Sequence, residues 1–237
     1  MNYAIISAGE GSRLREEGIL VPKPLVQLEN VPMIERLIRI FIEEGAQSIS
    51  IITNEINPEV ADYLDFGKNV KLNIVQKTTP SSLHSFYELM PFLKGGDFCL
   101  TTVDTIFDPK EFSEYINTFR NSKDIDGLMA VTSHIDDEKP LYIQTDDELN
   151  IKGFHDTDNG GCSYISGGIY CLKPVALETL QQAHDKHTNR MRNLQRAFVA
   201  DGLRLKAYPF TKILDIDHAE DIRKAEQFIT EINSNTK

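Results

Sequence analysis

The first 132 residues alternate short, apolar, β-branched runs with stretches of helical spacing, and this alternation leaves few architectures open. Strand patterns fall at 3–7, 48–53, 70–76, 98–103 and 127–132, and helical patterns at 33–44, 58–64, 81–93 and 109–120. In the first long helix the apolar residues are Met33, Ile34, Leu37, Ile38, Phe41 and Ile42, in steps of three and four that line one face. Gly45 ends it. Strands and helices in strict alternation build a mostly parallel sheet covered on both faces, so the expected class is α/β with a mixed, mostly parallel sheet. Beyond 132 the pattern changes. Segments 141–145 and 149–154 flank the turn Asp146-Asp147 as a hairpin, 163–172 and 204–209 read as strands, and 174–183, 191–200 and 219–232 as helices. No repeat, low-complexity tract or long Pro/Gly/Ser linker divides the chain, so 1–237 is read as one domain.

Charge narrows the partners. Asp and Glu number 36 against 25 Lys and Arg, a net charge of -11. Tight sequence-independent binding to nucleic acid needs many cationic contacts, which argues against a nucleic-acid partner. A small phosphorylated ligand needs only a glycine loop, a few cations and a divalent metal. Apolar runs such as 4–6 and 49–52 fall far short of the roughly 20 residues that span a bilayer, so no membrane partner is expected. No stretch of signal-peptide character precedes the first strand pattern. Cys99, Cys162 and Cys171 are odd in number without a CxxC pair, and read as buried thiols of a reducing compartment. The expected location is the cytoplasm.

The strongest local signal is Ser7-Ala8-Gly9-Glu10-Gly11-Ser12-Arg13-Leu14, directly after the first strand. Without a Cβ, Gly9 and Gly11 let the backbone turn and bring N–H groups close to phosphate oxygens. Arg13 can fork onto the same oxygens. Ten residues on stands Lys23, in Val21-Pro22-Lys23-Pro24-Leu25, where two prolines pin the backbone around the ammonium. A dinucleotide fingerprint would want a third glycine where Leu14 stands, and a P-loop would want Gly-Lys-Ser/Thr. Neither is present. A glycine pair alone can be a bare turn; Arg13 and Lys23 favour a phosphate site.

Asp104 closes the fourth strand, at the end where ligands settle in open parallel sheets. A carboxylate there costs desolvation unless it is solvated, hydrogen bonded or holds a metal. Asp108, before Pro109, reads as a helix cap. Asp215 and Asp217 precede the last helix, two residues apart and therefore on one side of an extended segment. With Asp104 they would suit Mg²⁺, which prefers a few carboxylates plus phosphate oxygens. The plainer reading makes Asp217 the start of the helix.

Gly-x-Gly-x-Arg-Leu, Pro-Lys-Pro-Leu, a strand-end Asp and a late Asp-Ile-Asp before an acidic helix resemble the nucleotidyltransferases that activate sugar 1-phosphates. Bacterial phosphocholine cytidylyltransferases share the layout. The resemblance runs from Met1 to about Ile229, and is strongest up to Gly45. It implies a Rossmann-like, GT-A-like domain, with a nucleotide-binding half at about 1–132 and an acceptor-binding half at about 133–237. The implied reaction moves a nucleoside monophosphate from a nucleoside triphosphate to a phosphorylated small-molecule acceptor, with Mg²⁺ as cofactor. By the same resemblance Ala8, Gly9, Gly11, Ser12 and Arg13 grip the triphosphate and Lys23 bears on the reacting phosphates. Asp104 holds Mg²⁺ with Asp215 or Asp217, and Gln76 reads the base, favouring a pyrimidine, with Ser82 and Leu83 in the base loop. The segment Ser166-Gly167-Gly168-Ile169-Tyr170 underlies the acceptor.

Two departures touch the acceptor. Many sugar-nucleotide members carry Glu-Lys-Pro on the strand before that glycine segment, where this chain has Gly153-Phe154-His155-Asp156. Glu138-Lys139-Pro140 precedes the hairpin and reads as a loop, which leaves Lys152 as the substitute cation. The loop 78–82 also lacks the usual glycine. His184 and His187 read as a solvated helix end, and Arg190, Arg192 and Arg196 as either an acceptor-phosphate contact or a charged outer face. Two rival functions stand beside the enzyme: a non-catalytic nucleotide-sugar-binding module, and a glycosyltransferase. The latter typically wants Asp-x-Asp where this chain has Asp104-Thr105-Ile106.

Overall fold

Side chains alternate across the first strand, β1 (Asn2–Ser7): Tyr3 and Ile5 enter one core, Ala4 and Ile6 the other. A strand buried on both faces must lie inside the sheet between two helical layers. The computed structural model, which describes residues 1–64, 70–136, 138–158 and 160–234, places it so. After β1 come α1 (Ser12–Glu16), β2 (Gln27–Leu28), β3 (Val31–Pro32), α2 (Met33–Glu43), β4 (Ser48–Thr53), α3 (Pro58–Tyr63) and β5 (Lys71–Gln76). The middle of the chain forms α4 (Ser82–Leu89), β6 (Phe98–Thr102), β7 (Thr105–Ile106), α5 (Pro109–Asn121), β8 (Gly127–Thr132), β9 (Tyr142–Thr145), β10 (Ile151–His155) and β11 (Cys162–Leu172). It closes with α6 (Ala176–Asp185), α7 (Met191–Ala200), β12 (Leu205–Phe210), β13 (Leu214–Asp215) and α8 (Ala219–Ser234).

One sheet takes strands from both halves of the chain, in the order β5–β4–β1–β6–β11–β8–β12. Along that path only β11 runs against the rest. The hairpin β9–β10 joins through the first residues of β11. The mixed, mostly parallel α/β sheet read from the sequence is the observed architecture. Helices α2, α3 and α5 cover one face around Tyr3, Phe41 and Phe112, with Tyr3 and Phe41 stacked 4.4 Å apart. Helices α4, α6 and α7 cover the other. Tyr115 of α5 donates to the Leu128 carbonyl at 2.6 Å and accepts from the Cys171 N–H at 2.7 Å, tying that layer to β8 and β11.

A third cluster, with Leu14, Ile106, Leu214, Ile216 and Phe228, lies under the site. Its strands are the pair β7–β13, in register Ile106 with Leu214 and Thr105 with Asp215. Sequence spacing did not anticipate this pair, nor the hairpin β2–β3. Two expectations change in detail. Helix α4 stops at Leu89 and tightens into a 3₁₀ turn, Met90–Phe92, because Pro91 has no N–H to continue the α-helical ladder. Cys99 and Cys171 are buried free thiols, but Cys162, where β11 begins, is half-buried. The Ser81 side chain makes no capping bond to α4; its hydroxyl accepts from the Arg190 N–H at 3.1 Å. No helix among the described residues is long and apolar enough to cross a membrane.

Candidate active site

The parallel strands β1, β4 and β6 end at a cavity of about 460 Å³. Its walls are Ser7–Arg13 after β1, Asn54 after β4, Thr78–Ser82 after β5, Thr102–Asp104 at the end of β6, Lys23 and Asp217. Ala8, Gly9, Gly11, Ser12, Arg13 and Ser82 are all in that lining, where the sequence placed a nucleotide. Gly11 has φ 63°, and a Cβ there would meet the Lys23 Cβ at 3.1 Å. It therefore supplies both a left-handed turn and the room for Lys23 to pass. Gly9 is different: a Cβ there would meet nothing within 4 Å, so no neighbour in the protein itself requires glycine at this position.

Four charges form a chain across the cavity. The Lys23 ammonium contacts the Asp104 carboxylate and donates to Asp217 Oδ1 at 2.9 Å, while Arg13 Nη1 donates to Asp217 Oδ2 at 2.9 Å. Lys23 and Asp104 are mostly buried, with 12% and 20% of their side chains exposed. Burial works against both charges, but each offsets it for the other. The two carboxylates raise the Lys23 pKa above the usual lysine value, and the ammonium holds Asp104 below the usual carboxylate range. The convergence is built by β7–β13, which lays Asp215 against Thr105, while the Ile216 N–H donates to the Asp104 carbonyl at 3.2 Å.

The two late aspartates separate. Asp217 lines this cavity and a second one of about 190 Å³; Asp215 lines only the second. Thus Asp104 and Asp217 share one cation, Lys23, whereas Asp215 faces only the second cavity. Among the described residues no group of three or more His, Cys, Asp or Glu could hold a metal. The pair Asp104 and Asp217 suits an ion that takes its remaining oxygens from phosphate, as Mg²⁺ does.

The second cavity adjoins the first through Arg13 and Asp217. Gly167 is in its wall, where a Cβ would meet Ile213 Cδ1 at 2.3 Å. The register of β11 on β8 shifts between Ser166 and Tyr170, and Gly168 takes φ 73°. Carboxylates of Asp136, Glu138, Asp215, Asp217, Glu220 and Asp221 surround Arg13 and Lys224, and Lys224 is bound by Asp136, Glu220 and Asp221.

Two residues chosen from the sequence stand elsewhere. Lys152 of β10 lines neither cavity; its ammonium is 2.8 Å from Asp146 across the hairpin turn. Gln76 ends β5 exposed and outside the cavity lining, which removes the residue on which a pyrimidine preference rested. The wall there is made by Asn54, which sequence reading missed. Asn54 is buried, donates to the Ala8 carbonyl at 2.9 Å and accepts from Thr78 Oγ1 at 2.9 Å, so it ties the glycine loop to the loop after β5. Its signal was available, since it directly follows a parallel strand.

Fold and site define an α/β protein with its ligand crevice at the carboxyl ends of parallel strands. The chain belongs to the nucleotidyl transferase family, whose model matches residues 3–232. It is 26% identical over 185 residues to the bifunctional protein GlmU of Methanococcus vannielii, covering 76% of this chain and 43% of that protein. It thus spans less than half of that relative's length. With the low-salt glycan biosynthesis nucleotidyltransferase Agl11 of Haloferax volcanii it shares 23% identity over 243 residues, 99% of this chain and 67% of the relative. The inositol-1-phosphate CTP transferase of T. maritima superposes with a TM-score of 0.82 at 16% identity, over 98% of this chain and 95% of that one, which shows a shared fold.

Proposed function

We propose that the chain transfers a nucleoside monophosphate from a nucleoside triphosphate to a phosphorylated small molecule, with a sugar 1-phosphate as the leading acceptor, and releases pyrophosphate. The carrying observation is the charge chain Arg13–Asp217–Lys23–Asp104 at the rim of the glycine loop. An oxygen of the acceptor phosphate forms a bond to the α-phosphorus as the bond to the bridging α–β oxygen breaks, and pyrophosphate departs with that electron pair. Such transfers depend on positioning and charge neutralisation. Backbone N–H groups of 9–13 orient the phosphates, and Arg13 and Lys23 offset the charge gathering on pyrophosphate. The acceptor phosphate is already ionised near neutral pH, so no strong general base is required.

Mg²⁺ is the proposed cofactor: Asp104 and Asp217 would hold it, and it would supply further charge neutralisation at the phosphates. The Thr78–Ser82 loop takes the nucleoside end, and the cavity around Gly167 the acceptor. A cytoplasmic location remains part of this proposal, as does the assignment of 1–237 to one domain with nucleotide and acceptor halves meeting at 132. A second reading, a phosphocholine-type cytidylyltransferase, is favoured by the carboxylates around the second cavity, which would welcome a cationic head group.

Pyrophosphate release tests the reading. A panel of triphosphates with Mg²⁺, crossed with glucose 1-phosphate, N-acetylglucosamine 1-phosphate, inositol 1-phosphate and phosphocholine, should yield one strongly preferred pair. Binding of a triphosphate without pyrophosphate release from any pair would instead support the non-catalytic module.

A further inference from the structure

Among the described residues, five other than glycine have positive φ, and four of these lie in turns. Glu29 and Asn30 join β2 to β3, Leu149 joins β9 to β10, and His187 follows the end of α6. Arg190 is different. Directly before α7 it takes φ 68° and ψ 142°, outside the left-handed helical basin and in a region that essentially only glycine occupies. A long side chain held there signals a use for it, because glycine would fit the backbone without strain.

The neighbours of Arg190 are spent. Arg192 and Arg196 both bind the Asp156 carboxylate at 2.7 Å. Arg192 also donates to the Lys139 carbonyl at 2.9 Å and Arg196 to the Phe154 carbonyl at 3.1 Å. Among the described residues no hydrogen bond or ion pair engages the Arg190 guanidinium, and the residue is exposed. Its backbone is fastened to the nucleotide loop: the Arg190 N–H donates to Ser81 Oγ at 3.1 Å, and the next N–H, of Met191, to Ser82 Oγ at 3.2 Å. Both serines line the first cavity. The cationic end of that cavity, at Arg13 and Lys23, is where phosphates would settle, so the nucleoside extends toward Ser81 and Ser82.

We propose that Arg190 is a nucleoside-binding residue, whose guanidinium closes over the base at the Thr78–Ser82 end of the cavity. A planar guanidinium suits this task, because it can stack on a base face or fork onto its carbonyl oxygens. The backbone bonds to Ser81 and Ser82 hold Arg190 beside the loop that walls this end of the cavity. This inference rests on the first cavity being a nucleotide site, and extends that reading with a residue from the other half of the chain.

The test measures triphosphate affinity by calorimetry with Mg²⁺ for wild type, Arg190→Gly and Arg190→Ala, using CTP, UTP, dTTP, GTP, ATP and, as a base-free probe, tripolyphosphate. Both variants should bind the preferred triphosphate about tenfold more weakly while tripolyphosphate binds as before. Arg190→Gly should also melt about 2–4 °C higher than wild type, since glycine relieves the strain, so its loss of affinity cannot come from misfolding. Unchanged triphosphate affinity in both variants would overturn the proposal, and so would an equal weakening of tripolyphosphate. A lower melting temperature for Arg190→Gly would contradict the strain argument. Wild-type protein that binds tripolyphosphate but no nucleoside triphosphate would instead remove the nucleotide reading beneath it.

Discussion

The two cavities share Arg13 and Asp217, yet they are built in different ways. The first stands where parallel strands end, and each of those strands carries its contribution in the next few residues: Ala8–Arg13 after β1, Asn54 after β4, Asp104 after β6. The second is walled by a bulged antiparallel strand, the segment around Ile213 and the start of α8, which meet only through long-range packing. The first cavity pairs two cations with two carboxylates; the second gathers carboxylates around Lys224. On the proposed function, phosphate chemistry would sit in strand-end loops that follow one another along the chain, whereas the acceptor would be held by segments that only the folded chain brings together.

The sharpest way to break this contrast is Lys23→Ala, which should lower kcat about 10³-fold for every acceptor in a steady-state pyrophosphate assay. A loss confined to one acceptor would place Lys23 in the second cavity instead. Separating the late aspartates comes next. Asp217→Asn should weaken the apparent Mg²⁺ affinity and cut turnover about 10²-fold, whereas Asp215→Asn should leave the Mg²⁺ titration unchanged and alter acceptor KM. Equal Mg²⁺ effects would merge their roles. Gly167→Ala should then raise acceptor KM about tenfold with triphosphate KM unchanged, since Ile213 must move into the acceptor wall.

The smallest effect is on pH-dependent stability. Asp104 has a folded-state pKa below its ordinary value, so its share of stability is present above about pH 4 and fades as pH falls through the lowered value. Lys23 is raised, so its share is complete below about pH 10 and fades as pH climbs through the raised value. The stability gap between wild type and Asp104→Asn should therefore be flat from about pH 5 to 9 and narrow below pH 4 in denaturant titrations. A gap that widens in acid would mean that the Asp104 carboxyl is not held ionised by Lys23.

Much of the fold was legible because periodicity reports which face an element buries. Met33, Leu37 and Phe41 marked α2, and the short β-branched runs marked the central strands. The glycine loop was legible because Gly11, Arg13 and Lys23 sit close in the chain. What spacing does not report is which distant ends meet. Two-residue strands such as Thr105–Ile106 and Leu214–Asp215 carry no period, yet their pairing brings Asp217 to Lys23. Lys152 was misjudged for a local reason: its partner Asp146 lies six residues back across a hairpin, closer than any site. Gln76 was chosen from a resemblance in register, but the chain enters the cavity only at Thr78, where the Asn54 side chain receives it.

Transfer of a nucleoside monophosphate can be checked by following the phosphorus atoms. Triphosphate labelled at the α-position should be incubated with Mg²⁺ and the preferred acceptor, and the products resolved by ³¹P NMR. Monophosphate transfer should carry the α-label into a pyrophosphate diester joined to the acceptor, with inorganic pyrophosphate formed in equal amount. Label retained in a nucleoside diphosphate, with phosphate or a γ-phosphorylated acceptor as the other product, would contradict it.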